Sequence, residues 1–432
     1  MMFSPLTVMI ISFAVMLFLE VPIAVGLGIS SLLAIITIGN IPAFLVVAQR
    51  IMNGMNSFTL LAIPFFILAG LFMGRGGIAR RLVDFANVLV GRLPGGLSYV
   101  NVLTCMLFGS ISGSSAAAVS AVGGFMIPLM NKMGYDKNFN ASVTITAATT
   151  GLLIPPSNAM IIYALAAGGS VSIATIFIAG IIPGILVGLA LMFVAGIVSS
   201  KKGYGKGASY PFSEAISKFF KAIPALFLVV IILGGILSGI FTPTEASAIA
   251  VVYAFLLSVI IYREVKINEI PAILLQCVIT TGVVFFLIGT SMATSWVLAY
   301  ENIPSKISQA LIGLSENRYI IFLIINLILL AVGTFMDMTP AILIFTPIFL
   351  PVVKNLGMDP IQFGIIMVLN LSIGLCTPPV GTSLFIGCGI ADTTVTEITP
   401  HLIKFFAAMI AVLMLCTYVP EISTLLPRLF HM

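Results

Sequence analysis

Apolar stretches long enough to cross a lipid bilayer recur along the chain from Pro5 almost to the C-terminus. A helix of about 20 residues spans the roughly 30 Å hydrocarbon core of a membrane. Only 8% of the residues are charged and 60% are hydrophobic, whereas a soluble globular protein carries roughly a quarter charged residues. The sequence therefore predicts an all-α polytopic membrane protein that has lipid as its solvent.

Two of the apolar segments are too long for a single pass. The segments lie at about 4–20, 21–39, 57–74, 97–130, 138–168, 171–199, 222–240, 245–262, 270–300, 318–352, 361–391 and 401–425. Small polar residues interrupt segments 97–130 and 318–352, from Gly109 to Ser115 and from Gly333 to Pro340. Irregular backbone is tolerated at membrane depth where protein buries it, so each is predicted to be a re-entrant hairpin of two half-helices, hairpin 1 and hairpin 2. The predicted fold has about ten full spans plus these two hairpins.

An internal repeat relates two parts of the chain. Identical residues recur 223 positions apart, namely Pro128 and Pro351, Gly134 and Gly357, Asp136 and Asp359, Gly151 and Gly374, Leu152 and Leu375, and Pro155-Pro156 and Pro378-Pro379. The pair Phe65-Phe66 also matches Phe285-Phe286, at an offset of 220. A register kept without a gap indicates two copies of one structural unit. We predict these units at 57–168 and 277–391, each with a hairpin and a broken helix.

The basic residues predict how the two units are oriented, because lysine and arginine concentrate in cytoplasmic loops. One loop, which we place in the cytoplasm, holds Lys201, Lys202, Lys206, Lys218 and Lys221. Counting membrane passes back from this loop places hairpin 1 and its arm on the same side, and the arm carries Arg75, Arg80, Arg81, Asp84 and Arg92. Counting forwards puts on the outer side the second arm, with Glu301, Lys306, Glu316 and Arg318. The units therefore have opposite topology, and both termini are predicted to be periplasmic.

The net charge of +5 then reflects the orientation of the protein in the membrane, and we expect no nucleic-acid partner.

Each unit contains two helix breaks, one at its hairpin tip and one at its diproline. Inverted repeats with broken helices are the architecture in which secondary transporters build a site near the bilayer midplane. A diproline frees upstream backbone carbonyls, and hydroxyl side chains add hard oxygen ligands, which suit a small cation such as sodium. The first predicted sodium site comprises Ser110, Ser112, Ser114, Ser115, Gly151 and Pro155. The pseudo-symmetric second site comprises Thr334, Asp337, Thr339, Gly374, Thr377 and Pro378.

The same breaks suggest where a solute binds. Half-helix N-termini after Ser115 and Ser157 direct partial positive charge to the midplane, which suits a carboxylate. The predicted substrate-binding residues are Ser157, Asn158, Thr149, Gly381 and Thr382. Asp337 is the only acid at a predicted hairpin tip, and acids inside a membrane are costly enough to indicate an ion or proton role.

Structural readings compete with some of these assignments. The run from Ser114 to Ala118 would also permit close helix packing in lipid, and a lone diproline can be a kink. The internal repeat favours a functional role for both the small-residue run and the diproline. Thr242-Pro-Thr-Glu245 is typical of a helix-capping box, so we assign Glu245 a structural role. We interpret Glu20 as a boundary residue between two helices.

The sequence has no HExxH, GxSxG or Walker A pattern and no metal-type cysteine spacing, so we predict neither an enzyme nor a covalent cofactor.

The chain resembles the large membrane subunit of the tripartite ATP-independent periplasmic (TRAP) transporters. The resemblance covers essentially the whole chain, at Leu19 to Ala24, Gly109 to Ala118, Gly151 to Asn158, Gly234 to Ala246 and Gly374 to Thr382. It implies an elevator mechanism, in which a transport domain that holds both hairpins moves against a scaffold, driven by a sodium gradient. We accordingly expect scaffold helices and an arm at 1–56, connecting and scaffold helices at 169–276 and a C-terminal helix at 392–432.

The resemblance also implies partners and solutes. The partners are a small four-helix membrane subunit and a soluble periplasmic substrate-binding protein, in the bacterial inner membrane and periplasm. Met1 leads directly into the first family-like helix, so we expect the small subunit to be a separate chain. The implied solutes are small organic acids, with C4-dicarboxylates and sialic acid as candidates.

Two alternatives stay open at this point. The first is a self-sufficient ion-coupled carrier or exchanger, which uptake measured with and without a periplasmic extract would distinguish. The second is a non-transporting membrane scaffold or assembly factor, which has no need of paired broken helices. Bulkier apolar residues at Asp337 or Ser114 would leave uptake unchanged in the second case.

Overall fold

The computed structural model describes residues 4–205, 211–315 and 317–430, and over these ranges its regular structure is entirely helical. Eight of the described helices are long and apolar enough to cross a membrane, and five shorter apolar helices accompany them. The prediction of an all-α polytopic membrane protein is therefore confirmed. Lys206 and Glu316, which contributed to the orientation argument, lie outside the described residues.

A helical pair and an arm begin the chain. They are α1 (Pro5–Phe18), α2 (Ile23–Ile38) and α3 (Ala43–Met55). Glu20 lies in the turn between α1 and α2 with a φ of 58°, so it is a boundary residue, as predicted. The hydroxyl of Thr294 on a later helix bonds that of Ser31 at 2.8 Å, which ties α2 to the rest of the fold.

The first repeat unit contains the predicted hairpin and broken helix. Its helices are α4 (Ala62–Arg75), the arm α5 (Ile78–Val90), α6 (Gly96–Ser112), α7 (Ser115–Ala118), α8 (Gly124–Lys132), α9 (Lys137–Ala148) and α10 (Asn158–Ala166). Helices α6 to α8 form hairpin 1, and a π-helical turn at Val119–Gly123 joins α7 to α8. The side chain of Ser114 accepts a hydrogen bond from the Ala117 amide, so Ser114 is the N-cap and the second arm begins at Ser115.

Four helices follow α10, and the last of them, α14, runs into the second predicted unit at residue 277. They are α11 (Ile173–Lys202), α12 (Phe212–Leu237), α13 (Pro243–Phe255), which continues as a π-helix over Leu256–Ile261, and α14 (Ile270–Tyr300). The Glu245 carboxylate accepts from the Thr242 amide at 2.8 Å, and the Thr242 hydroxyl accepts from the Glu245 amide at 3.3 Å. The predicted capping box is thus present at the start of α13.

The second repeat unit follows the same plan as the first. After the main part of α14, its helices are α15 (Ile303–Leu314), α16 (Arg318–Phe335), α17 (Met338–Asn355), α18 (Pro360–Gly374) and α19 (Thr382–Ala391). Helices α16 and α17 form hairpin 2, whose tip is Met336 and Asp337. The diprolines in the two breaks, Pro155-Pro156 and Pro378-Pro379, both have cis peptide bonds.

The C-terminal region differs from the sequence prediction. The last span was expected at 401–425, but it runs from Val395 to Tyr418 as α20, and a separate short helix, α21, covers Glu421–Leu429. A capping box of Thr394 and Glu397 starts α20 earlier than the hydropathy indicated. Pro420 lies in the two-residue gap between the helices, and proline both lacks an amide donor and disfavours helical backbone in the residue before it. The region 392–432 therefore holds two helices instead of one.

Both ends of hairpin 1 lie at one end of the molecule, which we call the basic end. Ion pairs join its loops there: Lys202 with Asp136 at 3.3 Å, Lys218 with Asp84 at 3.1 Å, and Arg81 with Glu264 at 3.5 Å. The sequence predicted that these basic loops share one side of the membrane, and these contacts confirm that they lie together.

Both ends of hairpin 2 lie at the opposite end, which we call the arm end because α3 lies there. The Tyr418 hydroxyl, at the last residue of α20, donates to the Tyr319 carbonyl at the start of α16 at 3.1 Å. The Tyr163 hydroxyl near the end of α10 donates to the carbonyl of Pro360 at 2.6 Å, where α18 begins. The two hairpins therefore enter from opposite ends, and the predicted inverted topology is confirmed.

Glycines allow each hairpin to contact the broken helix of its own unit. A Cβ on Gly109 in hairpin 1 would lie 2.8 Å from the Cα of Gly151, and a Cβ on Gly333 in hairpin 2 would lie 3.2 Å from the Cα of Gly374. Any larger residue would push the two backbones apart. The same close contact thus occurs in both units, so the pseudo-symmetry extends to the packing of hairpin on broken helix.

Candidate functional site

The tips of both hairpins meet the breaks of both broken helices at one cavity of about 610 Å³, the central cavity. Each of these four elements contributes the first residue of a helix to the lining: Ser115 of α7, Asn158 of α10, Met338 of α17 and Thr382 of α19. The N-terminus of a helix carries unpaired amide donors and partial positive charge. Four such ends converge here, so the cavity is suited to an anionic group.

Hairpin 1 and its neighbouring break form one wall of this cavity. The Ser112 hydroxyl donates to the carbonyl of Ser114 at 3.3 Å and shapes the tip. Gly113 has a φ of +61°, and a Cβ there would lie 3.3 Å from Nδ2 of Asn158 and 3.5 Å from the carbonyl oxygen of Pro156. The tip of hairpin 1 is therefore packed directly on the first diproline break.

The amide oxygen of Asn158 is a free acceptor beside the cavity. It is buried and accepts no hydrogen bond from any described residue, although Asn158 lines the cavity. A buried polar atom without a partner costs about 1–3 kcal/mol, so such atoms are normally satisfied by protein, water or a ligand. Its oxygen is of the hard type that sodium prefers, so the residues present fit a small cation or a hydrogen-bonding solute.

Hairpin 2 supplies the charge of the central cavity. Asp337 is the N-cap of α17 and lines the cavity together with Thr339. No other ionisable side chain is among the described lining residues, and no described cation lies within 4.0 Å of its carboxylate. An unpaired carboxylate at membrane depth is costly, which makes Asp337 a candidate for ion binding.

A hydrogen bond crosses from one repeat unit to the other inside this site. The hydroxyls of Ser115 on hairpin 1 and Ser383 on α19 are 2.7 Å apart, and both residues are buried. Near them, the thiol of Cys376 donates to the carbonyl of Ile145 on α9 at 3.6 Å. The second break is thus held against the first unit.

Seven of the predicted site residues line the central cavity, and ten do not. The lining ones are Ser112, Ser114, Ser115, Asn158, Asp337, Thr339 and Thr382. Among the others, five hydroxyls donate to carbonyls close by in their own segment, namely those of Ser110, Thr149, Ser157, Thr334 and Thr377. The remaining five lie in or directly beside the two helix breaks: Gly151, Pro155, Gly374, Pro378 and Gly381. Their assignment to sodium or substrate stays a prediction.

Four polar residues of the lining were not predicted. They are Ser120 and Ser383 within the repeat units and Gln276 and Thr280 on α14. The Arg75 guanidinium, at the last residue of α4, donates to the Gln276 side-chain oxygen at 3.1 Å. The available signal was the presence of Gln276 and Thr280 within the otherwise apolar start of α14. Because Arg75 lies at the basic end, the central cavity extends towards that end.

A second cavity of about 660 Å³ lies at the arm end, and we call it the arm cavity. Its lining comes from α3, the 58–61 turn, the loop between α10 and α11, and α14, with Arg50 as its only charged residue among those described. Leu60 and Ile288 line the arm cavity, Ile63 and Ile162 line the central cavity, and all four are buried in one apolar cluster. Residues of one apolar cluster thus line both cavities, and we infer that this cluster forms an apolar barrier between them.

Comparison with known proteins places the chain in one family. Residues 10–422 match the family described as the DctM component of the tripartite ATP-independent periplasmic transporters. The chain is 50% identical to the protein YgiK of Salmonella typhimurium, over 99% of this chain and 98% of that protein. It is 41% identical to the isethionate TRAP transporter permease protein DctMQ of Oleidesulfovibrio alaskensis, over 97% of this chain and 66% of that protein. It is 37% identical to the C4-dicarboxylate TRAP transporter large permease protein DctM of Rhodobacter capsulatus, over 95% and 96%.

Two solved transporter structures share the fold. The YdaH transporter of Alcanivorax borkumensis superposes with a TM-score of 0.62 over 90% of this chain and 88% of that chain, at 13% identity. MtrF of Neisseria gonorrhoeae superposes with a TM-score of 0.60 over 86% and 84%, at 14% identity. The sequence matches cover nearly the whole chain and connect it with transporter subunits, not with enzymes. The chain therefore belongs to the DctM family and is a large permease component of a tripartite ATP-independent periplasmic transporter, a secondary carrier of organic acids.

Proposed function

We propose that this permease imports a small organic acid together with sodium, after a periplasmic binding protein has delivered the acid. The observation that carries the proposal is the central cavity, where four helix N-termini converge beside the unpaired Asp337 carboxylate. Positive helix ends suit the acid, and the carboxylate suits a cation. One cavity thus contains binding groups for both the acid and the cation, which a symporter must bind together.

The two contacts between hairpin and broken helix support two sodium sites. In each unit, backbone from the hairpin lies against backbone from the break, at Gly109 and Gly151 and again at Gly333 and Gly374. Carbonyl groups and serine or threonine hydroxyls are the ligands that such contacts bring together. The first site would use Ser110, Ser112, Ser114, Ser115, Gly151 and Pro155, and the second Thr334, Asp337, Thr339, Gly374, Thr377 and Pro378.

The solute class follows from the positive character of the cavity and from the named relatives. Two relatives are named for C4-dicarboxylate and isethionate, and a third, from Escherichia coli, is named for 2,3-diketo-L-gulonate. Each of these solutes carries a carboxylate or a sulfonate. C4-dicarboxylates, sialic acid and isethionate are therefore the solutes to test, and Asn158, Thr382 and Ser383 are the side chains expected to contact them.

Two separate cavities with an apolar barrier between them support an elevator movement. Both hairpins and both breaks line the central cavity, and α4 and α14 contribute the rest of its lining. The hairpins and breaks would carry the solute past α4 and α14. The apolar barrier would then close the path at one end of the molecule while the cavity is open at the other end. We place the basic end in the cytoplasm, which makes this conformation inward-facing, with both termini periplasmic and the protein in the bacterial inner membrane.

The partners follow from the three-part transporter of the family description. They are a small four-helix membrane subunit and a soluble periplasmic substrate-binding protein. This chain matches 66% of the relative named DctMQ, and the unmatched third of that protein has room for a fused small subunit.

Uptake into proteoliposomes tests the proposal. The liposomes contain this permease and its small subunit, and labelled succinate, sialic acid or isethionate is added outside, with and without the binding protein and an inward sodium gradient. Uptake that requires both additions is expected. Uptake that needs sodium but no binding protein would instead support a self-sufficient carrier, and uptake indifferent to sodium would refute the coupling.

A further inference from the structure

The arm cavity has the chemistry of an anion site. Arg50 on α3 is its only charged side chain among the described residues, and no acid lines it. Its other polar side chains can donate or accept hydrogen bonds, and they belong to Asn53, Ser57, Thr59 and Ser172. Helix α11 begins at Ile173 on the wall of this cavity, which adds a partial positive charge.

Arg50 carries a charge that no described residue neutralises. No described carboxylate lies within 4.0 Å of its guanidinium. The guanidinium carbon of Arg50 lies 6.0 Å from the centroid of the Trp296 ring, and Trp296 itself stacks on Tyr300 with ring centroids 5.3 Å apart. A contact with the face of an aromatic ring leaves the hydrogen-bonding fork of the arginine available.

The two cavities lie along the same helices. Helix α10 lines the central cavity with Asn158 and Ile162, and the arm cavity with Ala164 and Leu165. At 1.5 Å per residue, Asn158 and Ala164 are separated by about 9 Å along the helix. A movement of the hairpins and broken helices towards the arm end by about that distance would bring Asn158 to the level that Ala164 now occupies beside the arm cavity.

We propose that the arm cavity is a second binding site for the transported organic anion and that Arg50 binds its carboxylate or sulfonate group. An arginine fork binds either group through two parallel hydrogen bonds. The anion binds here at the arm end before the hairpins and broken helices move and enclose it at the central cavity. This inference rests on the proposed function for the identity of the ligand, but binding at Arg50 can be measured without transport.

A lipid headgroup phosphate offers similar chemistry and is the alternative source of an anion. Arg50, Trp296 and Tyr300 form a cluster of the kind found at membrane interfaces. Binding must therefore be measured both in an uncharged detergent and in nanodiscs that contain anionic lipid. A solute site responds to the added acid in both, whereas a lipid site responds to the anionic lipid alone.

Tryptophan fluorescence of the purified full-length protein reports on this site directly, because Trp296 is the only tryptophan in the chain. Succinate and isethionate are added as sodium salts, with sodium chloride at equal ionic strength as the reference. We expect a saturable change with at least one of the acids. Arg50→Gln should weaken the apparent affinity by about tenfold to a hundredfold, the usual effect of losing hydrogen bonds to a charged group. Arg50→Lys, which keeps the charge but loses the fork, should give an intermediate value.

Arg80→Gln is the matched control, since Arg80 is an exposed arginine on α5 at the basic end and does not line either cavity. It should leave the titration unchanged. An absent response to both acids, an equal response in Arg50→Gln, or a response to anionic lipid alone would overturn the inference. Uptake assays on the same proteins separate the claims: sodium-driven uptake without a fluorescence response refutes only the arm site. A response without sodium-driven uptake refutes only the proposed function.

Discussion

The hydroxyl oxygens of Ser115 and Ser383 lie 2.7 Å apart, although the residues are 268 positions apart in the sequence. Ser115 begins the second arm of hairpin 1, and Ser383 lies in the first turn of α19, just after the second break. Their hydrogen bond therefore joins the two inverted units at the wall of the central cavity. If the units move as one body, this contact must persist throughout the transport cycle.

A double-mutant cycle tests that contact. Ser115→Ala and Ser383→Ala should each lower the free energy of unfolding, and the double variant should lose less than the sum, with a coupling energy of about 0.5–1 kcal/mol, as for hydrogen bonds between membrane helices. Reversible unfolding in mixed micelles measures it. Additive losses would mean that the two hydroxyls do not interact in the membrane protein.

The contact between Gly333 and Gly374 leaves no room for a side chain. A Cβ on Gly374 would lie 2.5 Å from the Cα and the carbonyl oxygen of Gly333, and neither backbone atom can rotate away. Gly374→Ala should therefore cost about 1–3 kcal/mol of stability and reduce sodium-driven uptake. Gly389→Ala on α19 is the matched control, since a Cβ there meets nothing within 4 Å. It should be neutral or stabilising by about 0.5 kcal/mol, and equal behaviour of the two variants would contradict the packing argument.

Asp337 should determine the sodium dependence of transport. Asp337→Asn keeps the size of the side chain and removes its charge, so the sodium concentration for half-maximal uptake should rise by about tenfold or more, as when a hydrogen bond to a charged group is lost. Glu20→Gln changes one acid in an exposed turn and should leave that concentration unaltered. The measurement is uptake at varied sodium in proteoliposomes with equal amounts of inserted protein. An unchanged sodium dependence in Asp337→Asn would exclude Asp337 from the ion site.

Asp136 should make stability depend on pH at the basic end. Burial alone would raise its pKa, but a hydrogen bond from the Phe139 amide and the charge of Lys202, with His401 nearby, lower the pKa below its ordinary value. A carboxylate with a lowered pKa stabilises the folded state above its unfolded pKa of about 4, and this contribution is lost as pH falls through the lowered value.

Unfolding of the wild type and of Asp136→Asn at pH 7 and at pH 3 measures this contribution. The variant should be less stable at pH 7, by at most about 1 kcal/mol because the ion pair is partly exposed, and the difference should shrink at pH 3. Asp392→Asn is the control, because the ion pairs of the described residues do not include its carboxylate. A difference that grows as the pH falls would have the wrong sign for this account.

Much of the fold was predictable because lipid and the repeat constrain the chain locally. Segment lengths gave the spans, and the 223-residue register placed both breaks, including Pro155-Pro156 and Pro378-Pro379. The C-terminal span was misplaced because hydropathy alone does not detect a capping box such as that of Thr394 or a helix-ending residue such as Pro420.

The composition of the site was harder to predict because it depends on how distant elements pack. Nothing near Ser383 in the sequence indicates that it contacts Ser115, since that contact arises only when the inverted units interlock. Gln276 and Thr280 required knowledge of which face of α14 turns towards the hairpins. The arm cavity and Arg50 were missed for the same reason, because α3 meets the loop between α10 and α11 only in the folded protein.

Simultaneous flux of labelled sodium and a labelled acid into the same proteoliposomes tests the central claim most directly. The liposomes hold the permease with its small subunit and receive the loaded binding protein, and either sodium or the acid is omitted in parallel samples. The account predicts that sodium enters only when the acid is present and that the acid enters only when sodium is present, in a fixed ratio. Entry of the acid without sodium, or of sodium without the acid, would contradict coupled transport through the central cavity.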